Sequence, residues 1–399
     1  MKILPFIAMA IAIFVSAAEI DICVPSFPDI KNLFNLSAFS VEMILSVNLI
    51  FHCIAAIFVG NLADKYGKRK IMNFGFLIFA LGTLLCILSK NYPTLIIGRI
   101  IQGIGSSAPM VLAPLFIMDL YTNKQKQEKM MNILNGICTI AICTAPTIGS
   151  YATLVWNWQA NFTILLAFTF VALFFNLFLP KSTINTQTSK VNFAEYKIIF
   201  SSKLPMMYIL SCTIAIGLYY TFVGMAPIIY INALNVDLKH YGFYQGALTL
   251  AFGIFSIISP LITNILGKKT AFLASISLIF SFLASYAYII INNVQNPLFI
   301  TLSTLLLSIG AVIPVNILYI GSLSSIPNMQ GRISAVLTVL KWVFSSIGIQ
   351  IASYFYASNF ISTGITMFVM EIISLSIGFY IFKLDKNFRQ SLLASKSKN

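Results

Sequence analysis

Hydrophobic and polar positions along this chain fall into long blocks and do not alternate. Twelve apolar runs stand out, at 4–28, 41–61, 71–89, 92–118, 131–153, 161–180, 204–231, 242–266, 270–291, 297–320, 333–355 and 360–382. Each is close to the ~20 residues that a helix needs to cross the hydrocarbon core of a bilayer. Short polar turns separate most of them, so neighbouring runs form adjacent antiparallel helices. The expected fold is all-α, a polytopic membrane protein with twelve transmembrane helices. A transmembrane barrel is excluded, because its strands run ~10 residues and alternate.

One polar stretch is longer than a turn. Residues 181–203 are rich in Ser, Thr, Asn and Lys and read as a linker. They divide the chain into a six-helix bundle at 1–180, a second at 204–382 and a tail at 383–399. A weak internal repeat supports the division. Asp64-Lys-Tyr-Gly67-Lys68-Arg69 returns, shifted by 200 residues, as Asn264-Ile-Leu-Gly267-Lys268-Lys269. Both copies follow the second run of their half, as expected of a duplicated two-bundle transporter with its substrate site between the halves.

Composition agrees with the pattern. The 399 residues are 58% hydrophobic and 9% charged, against about 25% charged in a soluble domain. The net charge of +14 invites a nucleic-acid role, but its placement argues against one. With the N-terminus inside, twenty of the 25 Lys and Arg fall on the cytoplasmic side, leaving Lys31, Lys90 and Lys239 outside and Arg99 and Lys341 within spans. This asymmetry puts both termini in the cytoplasm. The first residues mimic a secretory signal, but the apolar run continues past Ala18 and no soluble domain follows. The six cysteines lie within spans, none forms CxxC, and two histidines are too few for a usual zinc site. No metal and no cofactor are expected.

Ionisable groups inside the membrane cost ~2.5–3.5 kcal/mol each on insertion scales, so they mark cavities or partners. Glu19 and Asp21 lie late in the first run, before Pro25 and Pro28, which break that helix. Two residues apart, they point ~200° apart and cannot face one spot. Arg99 lies ~10 Å and Glu19 ~13 Å from the outer face at 1.5 Å per residue, depths that allow pairing. A guanidinium favours the charged carboxylate and burial the neutral acid, so a carboxyl held between them can load and release a proton. Either Glu19 or Asp21 fits that role. Lys341 and Glu371 lie at similar depths and suit a structural ion pair, Lys341 being long enough to snorkel as well. Glu42 is expected at the outer end of the second helix, in contact with water. His52 is expected to be a hydrogen-bonded packing residue. Asn48, one turn earlier, is either a cavity hydrogen-bonder or a helix contact.

Several motifs carry a family resemblance. Gly60-Asn-Leu-Ala-Asp64-Lys-Tyr-Gly67-Lys68-Arg69 meets every fixed position of G-x-L-A-D-[RK]-x-G-[RK]-[RK], the loop between helices 2 and 3 of the major facilitator superfamily. Gly136-x8-Ala145-Pro146-x2-Gly149-Ser150 resembles the helix-5 antiporter motif G-x8-G-P-x-x-G-G, departing at Ala145 and Ser150. Asp21-x3-Pro25-x2-Pro28, Arg99-x2-Gln102-Gly, Met110-Val-Leu-Ala113 with Asp119-Leu-Tyr121, and Trp158-Gln-Ala-Asn-Phe162 together resemble the bicyclomycin-resistance-type (Bcr/CflA) drug:proton antiporters. Gly331-Arg-Ile-Ser-Ala335 extends the likeness more thinly into the second half. Glu19 departs from that pattern, where a small or polar residue is usual.

The resemblance implies a proton-coupled antiporter that exports small organic compounds or drugs across the bacterial inner membrane by alternating access. The alternative is a proton-coupled uptake carrier for a metabolite. On this reading Glu19, Asp21 and Arg99 couple to protons. Asn48, Gln102, Tyr219 and Tyr220 line the substrate site. Gly60, Asp64, Gly67, Arg69 and Asp119 form a cytoplasmic conformational latch, and Gly136, Pro146 and Gly149 carry the antiporter motif. Its partners are a small-molecule substrate, protons and the lipid bilayer, with no nucleic acid. The expected working unit is a monomer, and no enzyme activity is expected.

Overall fold

The computed structural model of the chain describes residues 3–121, 123–180, 193–326, 329–386 and 389. Its elements are helical throughout the described residues. α1 (Ile3–Cys23) passes through a 3-10 turn at Val24–Ser26 into α2 (Phe27–Leu33). There follow α3 (Ala38–Tyr66), α4 (Lys68–Ile87), α5 (Tyr92–Leu120), α6 (Lys124–Val155) and α7 (Gln159–Asn176). The second half holds α8 (Phe193–Ser201), α9 (Lys203–Pro227), α10 (Leu238–Leu266) and α11 (Lys268–Ile291). It ends with α12 (Pro297–Gly310), α13 (Val312–Ser324), α14 (Gln330–Tyr354) and α15 (Ile361–Leu384). Twelve helical segments are long and apolar enough to cross a membrane, one for each expected run.

Three of the twelve are interrupted, and proline accounts for the breaks. Pro25 sits in the 3-10 turn between α1 and α2. The tenth run, expected as one helix, divides at Ala311 into α12 and α13. Pro314 lacks the N–H that would bond to the Gly310 carbonyl, and its ring crowds that carbonyl. After Pro227, α9 relaxes into a π turn at Ile228–Ala233.

The expected linker is partly ordered. Its residues 181–192 lie outside the described residues, but α8 occupies Phe193–Ser201. Ile199 is fully buried there, with Tyr196 packed against the same cluster as Tyr208 and Ile209. Tyr196 and Ile199, three residues apart, share one face of this helix, which is why a largely polar segment still folds against the bundle. Most of the expected tail beyond Lys386 also lies outside the described residues.

Two compact units form, one from Met1–Val191 with Asp237–Gly246, the other from Asn192–Val236 with Ala247–Asn399. In the first, α5 packs against α3 and α4, and α1 against α5, α6 and α7. Met9, Phe76, Phe79, Leu112 and Phe116 form its core. In the second, α9 packs against α13, α14 and α15, around Ile209, Cys212, Ile333 and Leu337. Large apolar side chains such as Phe74, Leu81, Ile257 and Phe379 point outward, at 60%, 60%, 71% and 72% exposure. Surfaces of that kind fit lipid and not water.

The repeat read from sequence has a backbone counterpart. Gly67 and Gly267 adopt φ of +94° and +80°, and each ends one helix while opening the next. A residue with a Cβ is strained there. A second echo had no sequence signal: the side chains of Asn91 and Asn296 cap α5 and α12, accepting from Thr94 N and Phe299 N.

Glycines set the approach of α4 to α5. A Cβ on Gly105 would lie 2.6 Å from Phe79 Cα and 2.7 Å from the Gly75 carbonyl oxygen. Around Gly60 nothing lies within 4 Å of such an atom. Gly105→Ala is therefore expected to destabilise the protein by roughly 1–3 kcal/mol, the usual range for overpacking. Gly60→Ala is expected to be neutral or stabilising by about 0.4–1 kcal/mol. Thermal melts of both variants in detergent check this; equal melting temperatures would refute it.

Candidate functional site

Arg99 organises the interior of the first unit. It lies in the first half of α5 and is fully buried, at 0% exposure. Its Nε donates to the Ile44 carbonyl oxygen on α3 at 3.1 Å. Its Nη1 donates to Gln102 Oε1, one turn along the same helix. The same nitrogen stands 3.4 Å from Glu19 Oε1 on α1, a buried ion pair. The Phe162 ring on α7 lies 5.9 Å from the guanidinium carbon. Nη2 is buried without a hydrogen-bond partner.

Two amides complete the network. Asn48 Nδ2 donates to Glu19 Oε1 at 2.6 Å and to the Arg99 carbonyl oxygen at 3.1 Å. Gln102 Nε2 donates to Thr83 Oγ1 on α4 at 2.9 Å. Four helices therefore meet at one charge. Glycine lets them do so: a Cβ on Gly103 would collide with the Asn48 carbonyl oxygen, and one on Gly82 would lie 2.8 Å from Gln102 Cα.

Of the sequence-predicted residues, Glu19, Arg99, Asn48 and Gln102 come together here. Asp21 does not join them. It is buried at 2% exposure and makes no hydrogen bond or ion pair. It sits on α1, which packs against α6 as well as α5 and α7. The two acids diverge, as their spacing on one helix requires. His52 Nδ1 pairs with Ser106 Oγ at 2.9 Å, within the packing of α3 on α5. Thr83 and the Ile44 carbonyl had no sequence signal. Phe162 was visible only as part of a motif.

Two expectations are corrected. Glu42 is not solvated: it is fully buried, and neither carboxylate oxygen has a hydrogen-bond partner. Its position near the start of α3 suggested water, but the packing of α3 against α2, α4 and α5 encloses it. Lys341 and Glu371 do not form the expected ion pair. Lys341 Nζ lies over the Trp342 ring at 4.2 Å, while Glu371 is buried with Oε2 unpartnered. Similar depth left rotation about each helix axis undetermined, and rotation directs them apart.

At the loop between α3 and α4, Lys68 Nζ pairs with Asp119 Oδ2 at 2.7 Å. Arg69 Nη1 instead donates to the Leu179 carbonyl oxygen, just beyond the end of α7, at 3.1 Å. Asp64 is exposed and makes no ion pair. In α6, Gly149 presses on α1 so closely that a Cβ would collide with the Ile22 carbonyl oxygen, whereas Gly136 has open space around it. Pro146 lies inside α6, which continues through it as one helix.

In the second unit, Tyr219 and Tyr220 belong to an aromatic cluster on α9. Their rings meet at 5.5 Å, Tyr219 stacks on Phe252 at 6.1 Å, and Tyr220 touches Trp342 at 4.7 Å. Tyr219 Oη also bonds to Thr249 Oγ1 at 2.8 Å. A separate cavity of about 1010 Å³ in this unit is lined in part by Tyr208, Asn264, Lys268, Asn316 and Asp385, and by neither tyrosine of the cluster.

Residues 9–349 match the sequence model of the Major Facilitator Superfamily. The chain belongs to that superfamily. Among its relatives, the multidrug resistance protein MdtL of Citrobacter koseri is 26% identical over 267 residues, covering 65% of this chain and 66% of MdtL. The match thus spans just under two thirds of that relative's length. The uncharacterized MFS-type transporter YdgK of Bacillus subtilis is 25% identical over 372 residues, 91% of each chain. A crystal structure of a D-xylose-proton symporter superposes with a TM-score of 0.75 over 96% of this chain and 98% of that one, at 12% identity. That likeness is one of fold. The chain is a multi-pass superfamily transporter and not an enzyme.

Within this superfamily protein, the buried pair predicts a stability pattern. Arg99→Met strands the Glu19 carboxylate in the interior and is expected to cost about 3–5 kcal/mol, the range for breaking a buried pair. Adding Glu19→Gln removes the stranded charge and should recover part of that loss. Melting temperatures of the single and double variants measure this; a double variant less stable than Arg99→Met would contradict it.

Proposed function

We propose that this protein is a proton-coupled antiporter that exports small organic compounds across the bacterial inner membrane by alternating access. The observation that carries the reading is Arg99, the one fully buried Lys or Arg among the described residues, in ion-pair contact with Glu19 while Asp21, two residues from Glu19, makes no ion pair. An isolated buried carboxylate is strongly unfavourable as an anion. Asp21 therefore suits proton uptake, and Glu19 can exchange its salt bridge for a proton when Arg99 moves.

Asn48 and Gln102 work through the charges. Their amides already hold Glu19, Arg99 and Thr83, so they position the proton site and do not reach freely for substrate. The Tyr219–Tyr220 cluster supplies aromatic faces of the kind that take flat organic compounds. The likeness to the multidrug resistance protein MdtL supports drug-like substrates. The latch is assigned to the loop from Gly60 to Arg69 with Asp119, its ion pair running through Lys68. Gly136, Pro146 and Gly149 are assigned to the antiport motif. The bias of Lys and Arg places this loop, and both termini, in the cytoplasm. The working unit is taken as a monomer of two six-helix bundles.

The test is transport in membrane vesicles. Asp21→Asn or Glu19→Gln is expected to abolish substrate movement driven by a pH gradient, while exchange without a gradient persists. If both variants keep proton-driven transport, the assignment of these carboxyls is wrong. Flux direction in proteoliposomes separates export from uptake: substrate moving in the same direction as the protons, and accumulating on the alkaline side, would favour the carrier reading.

A further inference from the structure

Glu42 has no place in the network around Arg99, yet it is as deeply buried. It lies four residues after Ala38 at the start of α3, ~6 Å along the helix axis. Its exposure is 0% and both carboxylate oxygens are without a hydrogen-bond partner. No ion pair reaches it.

The charged and titratable groups on the packed elements account for their own side chains elsewhere. On α5, the Tyr92 hydroxyl donates to the Ser40 carbonyl oxygen at 2.7 Å, and Arg99 is engaged with Glu19, Gln102 and Ile44. On α4, Cys86 Sγ contacts the Leu95 carbonyl oxygen at 3.9 Å, and Lys68, Arg69 and Lys70 stand at the opposite end of that helix. On α2, Asp29 is exposed and Lys31 half-buried. On α3 itself, His52 bonds to Ser106, ten residues or ~15 Å further on.

A bare carboxylate in such surroundings is untenable, and the group takes its neutral form. A neutral acid still lacks an acceptor for its own O–H. The fold therefore holds Glu42 in an unsatisfied state, a condition that marks functional positions more than structural ones. Packing alone would favour an apolar residue here.

Glu42 is also tied to the first proton site. Two residues along, the Ile44 carbonyl is gripped by Arg99 Nε, and at Asn48 the helix is gripped by Glu19. The segment of α3 that carries Glu42 is thus anchored by the same two residues, Arg99 and Glu19, that form the buried pair.

We propose that Glu42 is a further proton-carrying group of the transport cycle, beside Glu19 and Asp21. It holds a proton in the conformation described, and loses it to water when release of the Arg99 and Asn48 anchors hydrates the start of α3. The O–H bond breaks, the proton passes to water and the carboxylate remains on the side chain. This inference rests on the proton-coupled reading above.

Three measurements on the whole chain test it. Infrared difference spectra across a pH titration should show the C=O stretch of a protonated, hydrogen-bond-free carboxylic acid, lost in Glu42→Gln. In proteoliposomes, Glu42→Gln should lower the number of protons exchanged per substrate by one. Glu42→Met should melt at a higher temperature than wild type, because it removes the unsatisfied group, and show the same lowered ratio. No such band in the wild type, or an unchanged ratio in both variants, overturns the inference. If the ratio is unchanged here while Glu19→Gln and Asp21→Asn lose coupling, antiport stands and Glu42 is ruled out. A wild type that moves no protons at all overturns both.

Discussion

A guanidinium buried to zero exposure dictates much of the first unit. Taking Arg99 out of water costs several kcal/mol, and the compensation comes from four helices at once: Ile44 from α3, Glu19 from α1, Phe162 from α7 and Gln102 from its own α5. These partners reach it only if the helices approach more closely than ordinary side chains allow. Gly103 removes the Cβ that would stand in the way of α3, and Gly75, Gly82 and Gly105 let α4 close on α5, where Thr83 accepts from Gln102. The charge network and the glycine packing are one constraint expressed twice.

The acids are distributed unevenly around this centre. Glu19 meets the cation, while Asp21 and Glu42 in the same unit, and Glu371 in the other, remain buried without an ion pair. A protein selected for stability alone would replace such groups with apolar ones of similar volume, often at no loss. Retaining them accords with the proton-coupled reading proposed above, in which such groups are kept at the working site.

The duplication left its two copies with different chemistry. Gly67 and Gly267 still make the same left-handed turn, because a tight connection between two spanning helices demands it whatever the flanking charges. Around Gly67 the charges survive, with Lys68 held by Asp119 and Arg69 bonded to the Leu179 carbonyl oxygen just beyond α7. Around Gly267 the acid has become Asn264, and Asn264 and Lys268 line a wide cavity. Backbone geometry has outlasted the ion pairs.

By itself, the sequence determined the twelve spans. A helix satisfies its own backbone, so a run of apolar residues of the right length is enough to specify a span in lipid. It also determined that Glu19 and Asp21 diverge, since both sit on one helix with a fixed rotation per residue, and that Gly67 and Gly267 terminate helices. What it left open depends on rotation and contact between helices. That Arg99 chooses Glu19, that Lys68 and not Arg69 meets Asp119, that Glu371 misses Lys341 and that Glu42 is enclosed were decided by tertiary packing. Hydrophobicity places a residue at a depth; only the packed neighbours decide which way it faces and what it touches.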